Sequence, residues 1–235
     1  MIFLDDGGVM NDNTLRGPEW QRLVGEFFAP RLGGEPGAWA EANGATFGEL
    51  FERYSRTLPA APDFLQGWEG YERAWLAVMC EHVGVSEPPP TKAAALAREA
   101  SLYITPRVRA AFPGAPEAVV ELSRTGYTLH TASNEVSWEV DGYLTGMSIR
   151  DHFGLLFGPD RVQAMKPKQT YYERAFVLAG VEPAAAVVVD DSAENLAAAR
   201  AAGARTVLVS PEAATGEPLS LSALAELPRL LRAIA

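Results

Sequence analysis

The chain has 235 residues, of which 48% are hydrophobic, and a formal net charge of −10. This length allows one large domain or a domain with an insertion, and the acidic balance argues against a broad surface for nucleic acid or acidic membranes. One cysteine excludes an intrachain disulfide. With no signal-peptide pattern and no apolar run of about 18 residues, we expect a cytoplasmic protein that does not span a membrane.

The first predicted element is a buried strand over residues 2–5. An apolar run leads directly to Asp5, and the paired glycines Gly7 and Gly8 follow as a tight turn. At the carboxyl end of a parallel strand, a carboxylate can serve as a nucleophile or as a metal ligand. The alternative interpretation of Asp5 is a helix cap or a turn residue.

A helical region is predicted next, over residues 14–106. Apolar residues recur there at helical spacing, and further helices are expected near residues 46–56, 67–83 and 91–103. No segment of this region alternates like a strand. We interpret it as a helical subdomain inserted at the edge of the sheet where ligands bind, and therefore as a cap or lid.

After residue 106 the pattern alternates between strands and helices. The predicted strands cover 127–131, 155–157, 186–189 and 205–209, and the predicted helices cover 116–123, a segment from about 137, 169–179, 194–202 and the amphipathic C-terminus. This alternation indicates a parallel sheet with right-handed crossovers. The predicted fold class is α/β, a doubly wound parallel sheet formed by residues 1–13 and 107–235, with an α-helical cap at 14–106.

Polar side chains stand at three of the predicted strand ends and in one loop between strands. They are Asp5, Ser133, Asn134, Asp190 and Asp191, with Lys166 in the loop. Carboxylates that converge at one sheet edge repel each other unless a cation neutralises them, and oxygen ligands of this kind suit Mg²⁺. A lysine and a hydroxyl group nearby would bind the remaining anionic oxygens of a substrate.

Four segments resemble, in the correct order, the four motifs of the haloacid dehalogenase superfamily of hydrolases. They are Leu4–Val9, Thr131–Asn134, Met165–Pro167 and Val188–Asn195. The resemblance covers residues 1–13 and 107–210, and it points to the subfamily with a helical cap between the first and second motifs.

The resemblance implies a role for each matching residue. Asp5 would be the nucleophile and a metal ligand, the backbone carbonyl of Gly7 would bind the metal, and Asp190 and Asp191 would complete the Mg²⁺ site. Ser133 and the backbone N–H of Asn134 would bind phosphoryl oxygens, Lys166 would neutralise the nucleophile and the transferring group, and Asn195 would support the two aspartates.

One position departs from the family pattern. Phosphatases of the family commonly carry a second aspartate, the general acid and base, two residues after the nucleophile, and this chain has Gly7 there. Asp6 is expected to point to the opposite face of the strand. Three explanations remain open: a good leaving group, a proton donor elsewhere such as Asp12 or a cap residue, or a reaction that needs no acid.

The predicted function is Mg²⁺-dependent hydrolysis of small phosphorylated metabolites through an aspartyl-phosphate intermediate. One alternative is a metal-independent 2-haloacid dehalogenase, for which the resemblance would imply an aromatic residue at position 7 and a fourth motif poor in acids. Another is a non-catalytic phosphate-binding or regulatory protein, which Gly7 favours. The only predicted partner is the small-molecule substrate, and no oligomeric state is predicted.

Overall fold

A computed structural model describes residues 1–57, 64–211 and 219–234. The chain forms two compact units, one made of Met1–Asn13 and Ala110–Ala235 and the other of Thr14–Arg109. The first unit is therefore assembled from two stretches that are far apart in the sequence.

The first unit contains a six-stranded sheet in the order β3-β2-β1-β4-β5-β6. The strands are β1 (Ile2–Leu4), β2 (Leu129–Ala132), β3 (Phe153–Phe157), β4 (Val187–Asp190), β5 (Arg205–Val209) and β6 (Ser220–Leu221). Every neighbouring pair is parallel. Because β1 lies between β2 and β4, its carboxyl end is flanked by the carboxyl ends of both.

The helices fall into two groups along the chain. They are α1 (Asn13–Leu32), α2 (Pro36–Thr57), α3 (Phe64–Val83), α4 (Pro90–Ile104), α5 (Ala115–Arg124), α6 (Ser137–Gly146), α7 (Pro159–Val162), α8 (Gln169–Ala179), α9 (Ala193–Ala201) and α10 (Leu227–Ile234). Helices α1 to α4 build the second unit, and α5 to α10 belong to the first. No helix among the described residues is long and apolar enough to cross a bilayer.

Two apolar clusters cover the two faces of the sheet. Ile2 and Leu4 pack in one cluster with residues of α5, α6 and α10. Phe3 packs in the other with residues of α8 and α9. Successive strand residues point to opposite faces, so a strand covered by helices on both sides is apolar throughout. The predicted doubly wound α/β fold is confirmed.

The second unit is helical and has its own core. The stacked rings of Phe28 and Trp39 are 5.0 Å apart, and both side chains are fully buried. A polar contact also lies inside: Nε of Arg98 is 2.6 Å from Oε1 of buried Glu72, which also accepts a hydrogen bond from Nε1 of Trp68 at 3.1 Å. Burial raises the pKa of Glu72, and Arg98 opposes that shift.

Candidate active site

The site lies where β1, β2 and β4 end side by side. Leu4 is paired with Thr131 on one side and with Val189 on the other. Asp5, Ser133 and Asp190 come at or just after these positions, so the parallel register brings residues that are far apart in sequence to one edge.

Lys166 lies between two of the carboxylates. Its Nζ is 2.9 Å from Oδ2 of Asp5 and 2.7 Å from Oδ2 of Asp190, and all three side chains are buried. Burial alone would lower the pKa of Lys166, but the attraction of Asp5 and Asp190 outweighs it and raises the pKa above its usual value. Lys166 is therefore a fixed positive charge.

Three carboxylates form a cluster around this charge. Asp5, Asp190 and Asp191 each offer one oxygen, and these oxygens lie within 4.8 Å of one another. Burial raises the pKa of Asp5 to about 8, against the opposing effect of Lys166, and burial together with the charge of Asp190 raises the pKa of Asp191. One ammonium group does not balance three ionised carboxylates, so the cluster either takes up a proton, as the raised pKa of Asp5 indicates, or binds an added cation. Its all-oxygen donors suit Mg²⁺.

Asp190 is held by the start of α9. Its Oδ1 accepts hydrogen bonds from the backbone N–H of Ser192 and from Nδ2 of Asn195, both at 2.9 Å. Ser192 also caps the helix by accepting a bond from the N–H of Asn195. Asn195 thus lies where it can orient Asp190, one helical turn beyond it.

Gly8 lies against Asp191. A Cβ atom placed on Gly8 would lie 1.9 Å from Oδ2 of Asp191, and the φ angle of Gly8 is +80°. Both the close approach and the left-handed backbone require glycine. The turn after Asp5 therefore leaves the space that the Asp191 carboxylate occupies.

The loop after β2 is hydrogen-bonded to the loop that carries Lys166. Oδ1 of Asn134 accepts a hydrogen bond from the backbone N–H of Lys166 at 2.8 Å, and Nδ2 of Asn134 donates to its carbonyl at 3.3 Å. The hydroxyl of Ser133 accepts a bond from the N–H of Glu135 at 3.0 Å. The side chain of Asn134, whose backbone alone was assigned a role, therefore holds the lysine loop.

Two residues near the site were not predicted from the sequence. The buried hydroxyl of Tyr171 lies 2.8 Å from the carbonyl oxygen of Ser133 and 2.9 Å from that of Phe157. The carboxylate of Asp160 accepts bonds from the N–H of Ser137 at 2.8 Å and from its hydroxyl at 2.5 Å. Tyrosine in an apolar helix is typical of core packing, so the sequence carried no signal for the first contact.

The turn after Asp5 fixes the neighbouring aspartate. Asp6 is fully buried, and its Oδ1 accepts a hydrogen bond from Nδ2 of Asn11 at 2.7 Å. Its carbonyl accepts bonds from the N–H groups of Met10 and Asn11, both at 2.8 Å. Asp6 is not part of the acidic cluster found among the described residues, and Gly7 adds no side chain to it.

The sequence of this chain matches a known family over more than half of its length. Residues 75–209 match the model of the haloacid dehalogenase-like hydrolases. The chain belongs to the haloacid dehalogenase-like hydrolase family. The matched segment of this family member contains Ser133, Lys166 and Asp190 but not Asp5, which the fold brings to within 2.9 Å of Lys166.

Two curated members of the family illustrate the similarity. Phosphoglycolate phosphatase 1 of Pseudomonas aeruginosa is 28% identical over 167 residues, which cover 69% of this chain and 61% of the relative. Hexitol phosphatase B of Escherichia coli K12 is 29% identical over 133 residues, covering 54% and 60%. The chain thus matches less than two thirds of the length of these relatives.

Solved structures of the family share the fold. An L-2-haloacid dehalogenase of Xanthobacter autotrophicus has a TM-score of 0.67 at 17% identity, covering 100% of this chain and 98% of the neighbour. The hydrolase YfnB of Bacillus subtilis, in a structure bound to magnesium, has a TM-score of 0.64 at 16% identity, covering 98% and 97%. At this level of identity the similarity establishes the fold alone.

Proposed function

We propose that this hydrolase is a Mg²⁺-dependent phosphatase that acts on small phosphate monoesters through an aspartyl-phosphate on Asp5. The observation that carries the proposal is the cluster of Asp5, Asp190 and Asp191 around Lys166, with carboxylate oxygens within 4.8 Å of one another. Burying such a cluster without a cation is energetically unfavourable. Its carboxylate oxygens are the ligands that Mg²⁺ prefers, and phosphoryl transfer commonly uses Mg²⁺.

In the proposed reaction Asp5 attacks phosphorus and the bond to the leaving group breaks. Lys166, Ser133 and the N–H of Asn134 would bind the phosphoryl oxygens, and Asn195 would hold Asp190. The metal would be held by Asp5, Asp190, Asp191 and the carbonyl of Gly7. Bound there, Mg²⁺ would supply positive charge to the transferring group.

The proposal assigns different roles to two parts of the chain. Residues 1–13 and 107–235 would form the catalytic core, and the helical segment 14–106 would act as a cap that restricts the site to small substrates. The named activities of the two relatives, on phosphoglycolate and hexitol phosphates, support substrates of this size. Turnover of a phosphoprotein at an efficiency comparable to that of small esters would contradict it.

The second candidate function is metal-independent cleavage of carbon–halogen bonds in 2-haloacids. The lack of an acid at position 7 is compatible with it, because displacement of halide by a carboxylate needs no proton donor, but Gly7 also lacks the aromatic side chain that the resemblance to dehalogenases implies. The acidic cluster opposes it, because a reaction without metal gains nothing from three converging carboxylates. The non-catalytic alternative is a protein that binds phosphate at this same site without turning over a substrate.

The deciding experiment is hydrolysis of para-nitrophenyl phosphate, whose good leaving group needs little acid assistance. We expect activity with Mg²⁺, loss of activity in EDTA, and a loss of at least about 10³-fold in Asp5→Asn. Asp151→Asn, at an exposed aspartate, is the matched control and should keep wild-type activity. Activity on 2-haloacids that survives EDTA would establish the dehalogenase instead, and phosphate binding without any turnover would favour the non-catalytic protein.

A further inference from the structure

We infer that Tyr171 is a positioning residue, which orients the peptide group between Ser133 and Asn134 so that its N–H binds a phosphoryl oxygen. This role rests on the proposed function and deepens it, because it adds a residue outside the four motifs to the phosphoryl-binding side of the site. It follows from the contacts of one buried hydroxyl group and from the planarity of the peptide bond.

The hydroxyl group of Tyr171 lies between the ends of two strands. It is 2.8 Å from the carbonyl oxygen of Ser133 and 2.9 Å from that of Phe157, and the side chain is fully buried. Burial raises the pKa of Tyr171 well above its usual value, against the opposing effect of Lys166. The hydroxyl therefore stays protonated and remains a hydrogen-bond donor at physiological pH.

The two carbonyl groups differ in how much they depend on this donor. The carbonyl of Phe157 also accepts the N–H of Ser133, at 3.0 Å. As far as the described residues extend, Tyr171 supplies the donor that the carbonyl of Ser133 has. Loss of the hydroxyl would therefore affect the carbonyl of Ser133 more than that of Phe157.

The carbonyl of Ser133 and the N–H of Asn134 belong to the same peptide group. This group is trans and planar, so its carbonyl and its N–H point in opposite directions, and fixing one of them fixes the other. Among the residues that the structure describes, no protein group accepts the N–H of Asn134. Tyr171 thus sets the direction of a proposed phosphoryl donor that it does not itself contact.

Tyr171 also links this peptide group to the lysine of the site. Helix α8 begins three residues after Lys166, and Tyr171 lies in its first turn, where its N–H donates to the carbonyl of Lys168 at 3.0 Å. On the other side, the side chain of Asn134 bonds to both backbone groups of Lys166, at 2.8 and 3.3 Å. These contacts together set the spacing between the N–H of Asn134 and the ammonium group of Lys166.

A misdirected N–H costs most in the transition state, where negative charge develops on the transferring group. Removal of one preorganised donor from such a site typically lowers kcat by about 10²–10³-fold. Tyr171→Phe keeps the N–H of Asn134 and releases only its direction, so we expect a smaller loss, of about 10-fold. An interaction made mainly in the transition state lowers kcat and kcat/KM by the same factor and leaves KM unchanged.

The test compares Tyr171→Phe with the wild type in the hydrolysis of para-nitrophenyl phosphate with Mg²⁺. We expect kcat to fall by about 10-fold at unchanged KM, and the inhibition constant of orthovanadate, a transition-state mimic, to rise by a similar factor. The Kd for Mg²⁺, measured by isothermal titration, should not change, because Asp190 is held by groups at the start of α9.

Tyr172→Phe is the matched control. Tyr172 is the next residue of the same helix, is equally buried, and has its ring 5.2 Å from that of Tyr171, but its hydroxyl has no hydrogen-bond partner in the described part of the chain. This variant should keep the wild-type kcat and orthovanadate inhibition. In place of Tyr171, 4-aminophenylalanine, whose amino group is again a donor, should restore most of the activity.

Equal losses of kcat in Tyr171→Phe and Tyr172→Phe would contradict the positioning role. So would a loss of Mg²⁺ binding together with turnover in Tyr171→Phe, because the hydroxyl would then serve the fold as a whole. Unchanged kcat and orthovanadate inhibition in Tyr171→Phe would overturn the role and leave the proposed phosphatase function intact. A wild-type protein without Mg²⁺-dependent turnover would overturn the proposed function, and the positioning role with it.

Discussion

Gly8 determines where the carboxylate of Asp191 can lie. Two separate features require glycine at this position. The φ angle is +80°, and a Cβ atom there would lie 1.9 Å from Oδ2 of Asp191. The paired glycines in the sequence predicted a tight turn. They did not indicate that the second glycine faces a residue of another strand end, since that contact depends on the pairing of β1 with β4.

We therefore predict that Gly8→Ala displaces Asp191 and weakens Mg²⁺ binding by about 10–100-fold, as expected for a change beside a proposed metal ligand. Isothermal titration with Mg²⁺ measures this directly. Gly180→Ala is the control, because Gly180 also has a positive φ of +64° but has no atom within 4 Å of an added Cβ. Both variants carry the backbone strain, of roughly 1–2 kcal/mol, so equal Mg²⁺ affinities would contradict the assignment to Asp191.

At the level of elements, helix α8 is tied to the ends of two strands by one hydroxyl group. Tyr171 reaches the carbonyl of Ser133, just beyond β2, and the carbonyl of Phe157, the last residue of β3. The next residue, Tyr172, is equally buried, but its hydroxyl has no hydrogen-bond partner in the described part of the chain. The two tyrosines thus form a natural pair for comparison.

We predict that Tyr171→Phe lowers the free energy of unfolding by about 1–3 kcal/mol, because the one hydroxyl proton that the carbonyls of Ser133 and Phe157 share is lost. The carbonyl of Phe157 keeps the N–H of Ser133 as a donor. Tyr172→Phe should be neutral or stabilising, because it removes a buried hydroxyl that has no partner. Urea unfolding of both variants measures the difference. A loss of stability in Tyr172→Phe as large as in Tyr171→Phe would show that its hydroxyl is bonded after all, for example through water.

The helices and strands differ in how well the sequence of each one predicts its position. Helix 169–179 and strand 205–209 were predicted to the residue, because each has a clear period and an end signal such as Gly180. Strand β6, Ser220–Leu221, has two residues and no readable period, and it forms only because β5 offers a free edge. Helix α2 begins at Pro36 rather than near residue 46.

The residues of the candidate site also differ in how far the sequence predicts their contacts. The order of the strand ends predicted that Asp5 and Asp190 would converge, and the structure places both within 3 Å of Lys166. The bonds of Asn134 and Asp160 were not predicted, because they join segments that are distant in the sequence through side-chain contacts that no local pattern encodes. Local periodicity specifies elements, whereas contacts between loops depend on the completed sheet.

At the scale of the whole molecule, each of the two units encloses its own apolar core and its own buried polar contacts. In the helical unit the carboxylate of Glu72 is paired with Arg98, whose side chain is 34% exposed against 6% for Glu72. Loss of the arginine would leave a buried carboxylate with Trp68 as its remaining bonded neighbour. We expect the resulting loss of stability mainly in the helical unit, which contains this ion pair.

We predict that Arg98→Ala destabilises the helical unit by about 1–3 kcal/mol, a value reduced by the partial exposure of the arginine. Hydrogen exchange followed by mass spectrometry should show faster exchange in α3 and α4, with little change in β1, β2 and β4. The control is Arg56→Ala, whose ion pair with Glu52 is largely exposed, at 72% and 70%, and should have little effect. Equal acceleration in the sheet would show that the two units unfold as one.

The position of β1 has a consequence for synthesis on the ribosome. Ile2–Leu4 are made before their partners at residues 129–131 and 187–189, which follow only after the whole helical unit. All residues of the helical unit are present once residue 109 has been made, whereas the central strand of the sheet must wait as an unpaired apolar segment on the nascent chain. That segment is an attractive binding site for molecular chaperones until β4 emerges and the sheet closes around it.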